Sequence, residues 1–379
     1  MINRPTPSLP ANSPLNTGLR MRYRSVACLG LTLLLSIGIV LCAAGTARAD
    51  DAFNRPGNIL ITDQFNNRVI EINPAGKIIW HFGNGPSDTS ANSIVGTNDA
   101  ERVGEDTLMS GTGIPPGATP NCPNGCVDNR VLLVDEEGKI VWQYGQFGVT
   151  GFGPNQLNTP VQNTFLPSGN VLITDQGNQR IIEVRPANNS IAWQYGQNGV
   201  VGSGPNQLSN PNAAELLANG HILISDENNN RAIEVTHTTP SRIVATFTVK
   251  GTASGVAFAS RLPNGHTLIT DSNNNRIVEV DRFDNKVWEY FTNTRPGSNP
   301  QPLPTRAVRL ANGNTLISDQ FNDQVIEVTH SKKIVASYGT INDPGFSTKT
   351  ATLMNAPYSA YVIGDYTGIT PPFADEDED

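Results

Sequence analysis

Residues Gly169–Gly196, GNVLITDQGNQRIIEVRPANNSIAWQYG, decide the fold, because the chain writes them again and again. Gly57–Gly83 reads GNILITDQFNNRVIEINPAGKIIWHFG. Shorter copies begin at Gly220 (GHILISDENNNRAIEV), Gly265 (GHTLITDSNNNRIVEV) and Gly313 (GNTLISDQFNDQVIEV). Self-similarity at a regular spacing is the mark of a repeat architecture. An aspartate sets the register at Asp63, Asp175, Asp226, Asp271 and Asp319, with later gaps of 51, 45 and 48 residues. The first gap, 112 residues, is two units long and conceals a degenerate copy. That copy is split by an insertion: DTLMSGTG (Asp106–Gly113) stands for the first half and NRVLLVDEEGKIVWQYG (Asn129–Gly145) for the second, with Gly111 in the aspartate's place.

Each unit carries strand chemistry. NVLITD, RIIEV and SIAWQYG are short β-branched or aromatic runs separated by Asp, Asn, Pro and Gly turns, and a fourth run such as VQNTFL precedes the first. No helical period interrupts them. Four strands in about 45–55 residues make a propeller blade, so the expectation is an all-β, six-bladed β-propeller of four-stranded blades. Blade 1 begins without an inner strand of its own. The segment Leu353-Met354-Asn355-Ala356-Pro357, followed by YSAYVI, matches LNTP and LSNP ahead of blades 3 and 4, and no further blade follows it. It is therefore expected to supply the missing inner strand and close the ring.

Outside the repeats the chain divides simply. Residues 1–49 hold Arg20, Arg22 and Arg24, an apolar run from Val26 to Ala44, and Ala47-Arg48-Ala49, the pattern of a cleaved signal peptide; an uncleaved N-terminal anchor is the other reading of the same run. Residues 50–370 are the propeller, and 371–379, ending in ADEDED, an acidic disordered tail. The expected location is secreted or periplasmic, with membrane contact only if the N-terminal segment stays attached. The five arginines of residues 1–49 leave 21 basic against 34 acidic residues, a net charge of −13, which argues against nucleic acid as a partner. Cys122 and Cys126, in the blade 2 insertion, are expected to pair as a local disulfide, since an exported chain meets oxidising conditions and the insertion offers no further metal ligands.

The run YG-x-x-G-x-x-G-x-GPNQL-x-x-P, an inner strand, and then G-N-x-L-I-T-D-x-x-N-N-R-I-x-E-V resembles the NHL repeat over about residues 57–363. The ending GKIVWQYG is similar, less specifically, to blades of arylsulfotransferase and quinoprotein propellers. The resemblance implies a six-bladed propeller but no single activity, because such propellers include binding modules, sensor domains and a few lyases.

The repeated aspartates are read as scaffold. Each precedes an Asn-rich turn, and four have an arginine five residues on (Arg68, Arg180, Arg231, Arg276), where blade 6 has Gln324. Trp80, Trp142, Trp193 and Trp288 are expected to pack between blades. Every histidine falls on a repeat column and none on an inner strand, which removes a histidine base or zinc site at the axis. Function is sought where the repeat breaks. Aligned on the small column Ala100, Asn163, Ala214, Ala259, Ala307 and Ala360, the preceding positions vary freely: Asp99, Gln162, Ala213, Phe258, Arg306, Ser359, and before them Asn98, Val161, Asn212, Ala257, Thr305, Tyr358. Asp99, Gln162, Asn212, Phe258, Arg306 and Tyr358 are the candidate ligand-binding residues. Arg306, the one base of its column, anchors an anionic group or pairs with Asp99; Phe258 and Tyr358 stack on a sugar-like or apolar part. The expected function is a non-catalytic module binding a protein, small-molecule or carbohydrate ligand at one propeller face, with no catalytic residues and no required cofactor. The alternatives are an arylsulfotransferase-like enzyme and a calcium-dependent lactonase- or lyase-like propeller, in which Asp99, Glu101, Asn163, Asn212 and Glu215 supply calcium oxygens.

Overall fold

The computed structural model describes residues 52–251 and 253–371. The proposed signal or anchor segment and the acidic tail lie outside them, save Pro371. Among the described residues there are six four-stranded antiparallel sheets. Blade 3 is the template, with strands Pro160–Phe165, Val171–Asp175, Arg180–Arg185 and Ser190–Gly196 from axis to rim. Alternation puts one set of side chains of each strand against the preceding blade and the other against the following blade. The strands are therefore buried on both faces, and Val171–Asp175 is buried at every position. No blade can do this alone, and the apolar clusters run from one blade into the next: Leu172, Ile181, Trp193 and Tyr195 of blade 3 pack on Ile222, Ile224, Ile233 and Val235 of blade 4.

The turn after the second strand shows why the repeat reads D-x-x-N-x-R. Asp175 ends the strand, a single 3-10 turn follows, and Gln179 adopts a left-handed φ of 59°. Asn67, Asn230, Asn275 and Asp323 hold the same conformation, one that Asn and Asp tolerate far better than branched residues. The asparagine three residues on donates to the aspartate at 2.7–2.9 Å in five blades. The arginine five residues on pairs with it at 2.6–2.7 Å in four. The aspartate's other oxygen accepts a backbone N–H from the segment entering the inner strand: Asn158 at 2.8 Å, Ser209 at 2.7 Å and Asn355 at 2.7 Å. One carboxylate thus fixes the turn, the arginine and the entry of the inner strand.

Two blades reach the same arrangement by other routes. In blade 2 Asp128, from the inserted loop, pairs with Arg130 and accepts Val95 N–H at 2.8 Å. A Cβ on Gly111 would lie 2.4 Å from its Oδ2, so Gly111 is the space this carboxylate fills. In blade 6 Arg295 reaches in from the blade 5–6 connection to pair with Asp319, and donates to Gln324 Oε1 at 2.8 Å.

The ring closes as the repeat spacing predicts. Pro357–Val362 pairs antiparallel with Ile59–Asp63, with Ile59 opposite Val362 and Ile61 opposite Ala360. The tryptophans tie neighbours together: the indole N–H groups of Trp80, Trp142, Trp193 and Trp288 each donate into the following blade, at 2.8–3.2 Å. At the closure Tyr338 does this, donating to Pro74 O at 3.2 Å. Cys122 and Cys126 form a disulfide, and their loop packs on Val95 and Ile114 with Phe65 and Phe147 alongside.

Candidate functional site

The six inner strands run parallel to the axis and line it. Their register confirms the alignment drawn from sequence. Ala100, Asn163, Ala214, Ala259, Ala307 and Ala360 each pair with the matching Ile or Met of the second strand. Small residues here let six strands approach one another, and the two preceding positions project to the centre. Asp99, Gln162, Asn212, Phe258, Arg306 and Tyr358 come together around one axial chamber.

These residues fill the axis more than they line it. Arg306 of blade 6 pairs with Asp99 of blade 2, lies 3.5 Å from Glu215 Oε1 of blade 4, and stacks 4.5 Å over the ring of Phe258 of blade 5. Four blades meet on one guanidinium, and Arg306 is 9% exposed. Of the two roles open to Arg306, the geometry displays the ion pair with Asp99. Above it Tyr358 of blade 1 crosses the channel and donates to Asn212 Oδ1 of blade 4 at 3.0 Å; Asn212 in turn donates to Glu227 at 2.9 Å. Gln162 bridges to blade 4 through Glu215 Oε1 and Ala214 N–H, both at 2.7 Å.

Below the arginine the chain stoppers its own channel. After the closing strand it turns under the ring, and Thr370 gives both its N–H (2.8 Å) and its hydroxyl (2.7 Å) to Glu215 Oε2. A second chamber lies between this stopper and Arg306. Each axial chamber has a volume of about 10 Å³, enough for about one water. Sequence reasoning missed Thr370, because the residues after the closing strand belong to no repeat column.

Asp99, Glu101, Asn163 and Glu215, four of the five calcium candidates, border the lower chamber, while Asn212 belongs to the upper one. Their oxygens are largely committed: Glu215 to Thr370 and Gln162, Asp99 to Arg306 and Asn163 N–H, and one oxygen of Glu101 to Phe165 N–H at 3.0 Å. Among the described residues no three His, Cys, Asp or Glu side chains are grouped to hold a metal ion. The other oxygen of Glu101 and the amide of Asn163 are buried without a partner. Burial pushes Asp99 up to about 6 against the opposing pull of Arg306, and pushes Glu101 well above the usual carboxylate range.

The histidines lie off the axis. His221 and His266 meet Glu234 and Glu279 of their own blades at 2.8 and 2.7 Å, and His237 meets Glu183 of the preceding blade at 2.7 Å.

The face where the inner strands begin, here the top face, carries the connections between blades. Gly145–Pro160 and Gly196–Pro211 are built alike. Asn155 and Asn206 accept the N–H of Gly145 and Gly196 at 2.9 and 2.8 Å, and a Cβ on Gly151 or Gly202 would lie 2.3 Å from Gln156 or Gln207 Oε1. The GPNQ signature is thus a self-bonded loop, and it holds Phe152 (58% exposed) and Val201 (64%) out to solvent. Val127, on the disulfide-bearing insertion, is exposed beside them in ring order.

No family model matches the chain. NHL repeat-containing protein 3 of Homo sapiens is 30% identical over 122 residues, which is 31% of this chain and 31% of that protein; the match spans under a third of the relative's length. A protein of unknown function from Bacteroides caccae superposes with a TM-score of 0.54 at 15% identity, covering 81% of this chain and 98% of its own. Virginiamycin B lyase from Staphylococcus aureus gives a TM-score of 0.46 at 15% identity, over 75% of this chain and 85% of its own. At such identity the Bacteroides likeness is one of fold. In its repeat sequence and its ring of six blades, the chain resembles the NHL-repeat β-propellers.

Proposed function

We propose that this chain is an exported binding module that recognises a protein partner with its top face, over the connections of blades 2 to 4. The observation that carries this reading is the pair of self-bonded GPNQ loops presenting Phe152 and Val201. A loop whose conformation is fixed in advance loses little entropy on binding, and exposed aromatic and aliphatic side chains on it are the kind of anchor an interface buries. The axial residues bear on the choice too. With room for about one water in each chamber, a small-molecule or carbohydrate ligand at the axis requires Tyr358 and Arg306 to move. Export rests on the residue pattern of positions 1–49, and N-terminal sequencing of the protein recovered outside the cytoplasm tests it, with Asp50 as the expected first residue.

The binding reading is tested by cross-linking the full exported chain in its native extracellular fraction. Three proteins are compared: the parent, Phe152→Asp with Val201→Asp on the top face, and Phe283→Asp on the opposite face. One partner captured by the parent and by Phe283→Asp, but lost from the top-face variant, supports the proposal. A partner held equally by all three, or lost only from Phe283→Asp, overturns it.

A further inference from the structure

The arc that carries the top-face loops is almost free of charge. Residues 112–127, 145–160 and 196–211 hold none of the chain's 26 basic and 34 acidic residues. The charged side chains that approach them are spent on one another: Asp128 on Arg130, Arg180 on Asp175, Arg231 on Asp226. Glu227 accepts from Asn210 and Asn212, both at 2.9 Å. Exposed charge returns on the later connections, at Lys250, Asp343 and Lys349. It crowds the opposite face in DEEGK (135–139) and DRFDNK (281–286). A surface without charge suits the centre of a protein interface. For a chain of net charge −8 it is also where a second copy approaches without setting carboxylate against carboxylate.

The two GPNQ loops are a matched pair. Each closes on itself in the same way: Val149 and Val200 N–H donate to Gln146 and Gln197 O at 3.0 and 2.9 Å, and Gly151 and Gly202 N–H to Leu157 and Leu208 O at 3.1 and 3.0 Å. On this shared backbone the side chains differ. The first loop holds out Phe152 where the second has Ser203, and Thr150 stands where the second exposes Val201. One loop is a knob, and its neighbour one blade on is a shallow hole with an apolar edge. A two-fold axis lying in the top face and passing between the loops sets each loop of one copy against the other loop of its mate. Phe152 of each copy then covers Ser203 and Val201 of the other, in the self-complementary contact that a two-fold requires. A foreign partner has to supply both shapes; a second copy already carries them.

We propose that this arc is the interface of a two-fold dimer, with Phe152 of each copy seated against Ser203 and Val201 of the other. The proposal rests on the top-face reading above and names one occupant of that face, a second copy of this chain. Two loops a side make a patch at the small end of interface sizes. The dimer is therefore weak, with a dissociation constant of about 100 µM, and dilute protein is monomeric. A foreign partner competes with the mate for the same apolar anchors.

Sedimentation equilibrium of the purified protein from about 5 to about 500 µM tests it. The parent is expected to pass from monomer to dimer over that range, and no less readily when salt is raised, since the contact holds no ion pair to screen. Phe152→Ser, which removes the knob, should weaken the dimer at least about tenfold. Ser203→Phe, which fills the hole, should weaken it too, although it adds an exposed aromatic side chain. Combining the two changes again sets a knob against a hole and should regain most of the association. All these positions are exposed, so the fold is unchanged. Phe283→Asp, on the opposite face, should leave the dimer as it is. A parent monomeric at about 500 µM, a dimer strengthened by Ser203→Phe, a double variant no stronger than either single change, or a dimer lost in Phe283→Asp overturns the proposal. The cross-linking comparison keeps the two readings apart. A monomeric parent that loses a foreign partner with Phe152→Asp and Val201→Asp overturns the dimer and leaves the top-face reading standing. A parent that dimerises as described but captures no foreign protein supports the dimer alone.

Discussion

A single carboxylate carries an unusual share of each blade, and blade 2 shows that its position in space matters more than its position in sequence. Asp128 reaches from the far side of an insertion into the volume that Gly111 leaves empty. Gly111→Asp in the parent would put two carboxylates where one fits, and should cost about 3 kcal/mol or more, the scale of a buried charge without its own partner. Adding Asp128→Ser to Gly111→Asp rebuilds the arrangement of the other blades and should recover most of that loss. Urea denaturation of the three proteins checks this, and a single variant as stable as the parent removes the idea. Blade 6 offers the reciprocal case. Arg295→Ala strands Asp319, which is fully buried, and Gln324→Arg in that background should restore stability by supplying the arginine from its usual place. Neither substitution of role was legible in the sequence, since a pattern match records a missing Asp or Arg and says nothing of a distant residue that folds back to replace it. A lone arginine in the connection ahead of a blade lacking its own was the available signal.

At the scale of the element, the sequence was most informative where backbone geometry is demanding. The left-handed Asn or Asp after the 3-10 turn in four blades, the paired asparagine and arginine, and the GPNQ loops follow from residue type at fixed spacing, so the sequence alone places strands and turns; only Gln179 of blade 3 takes the left-handed position without the usual residue type. The inner-strand columns were equally legible, because a small residue recurs wherever six strands crowd the axis. What those columns do was not legible. Asp99, Gln162, Phe258 and Arg306 vary as a binding surface does, and in the fold they also meet across the ring through Arg306 and Glu215, contacts that alignment by column cannot show. The disulfide element is more self-contained. Cys122 is buried in a small cluster with Val95 and Ile114, so intact-mass analysis with and without reduction should find the Cys122–Cys126 bond in the purified protein. Because the bridge closes a short loop, reduction should cost less than the ~2–4 kcal/mol of a typical disulfide, and a large fall in melting temperature would contradict this.

Over the whole molecule, burial of acids gives the ring an inverted response to pH. Asp99 and Asp319 are each pushed by burial from an ordinary value of 3.8 to about 6. Between those values the folded chain holds protons that the unfolded chain has released, so stability falls as pH rises through the window, and the penalty is complete above about 6. Glu183 and Glu234, lowered by hydrogen bonds that outweigh burial, act the other way, their contribution being lost as pH falls below the usual glutamate range. The melting temperature should therefore be higher near pH 5 than near pH 7.5, and Asp99→Asn should flatten that difference; a parent that melts higher at the alkaline end contradicts the scheme. Ring closure sets a second test at the same scale. Deleting Leu353 onward takes away the inner strand paired with Ile59–Asp63, the Asn355 N–H that Asp63 accepts, and the Tyr358 crossbar. The edge of Ile59–Asp63 then lies unpaired and the ring opens, which should produce aggregation or loss of cooperative unfolding. Deleting only from Tyr366 onward removes the Thr370 stopper but leaves every blade four-stranded. That shorter truncation should remain monomeric and unfold in one step, since the Glu215 oxygen it uncovers gains access to water in exchange for Thr370. Size-exclusion chromatography and thermal melts of the two truncations separate a strand that closes the ring from one that merely decorates it. If the longer deletion melts like the parent, the C-terminal strand is not what holds the propeller shut.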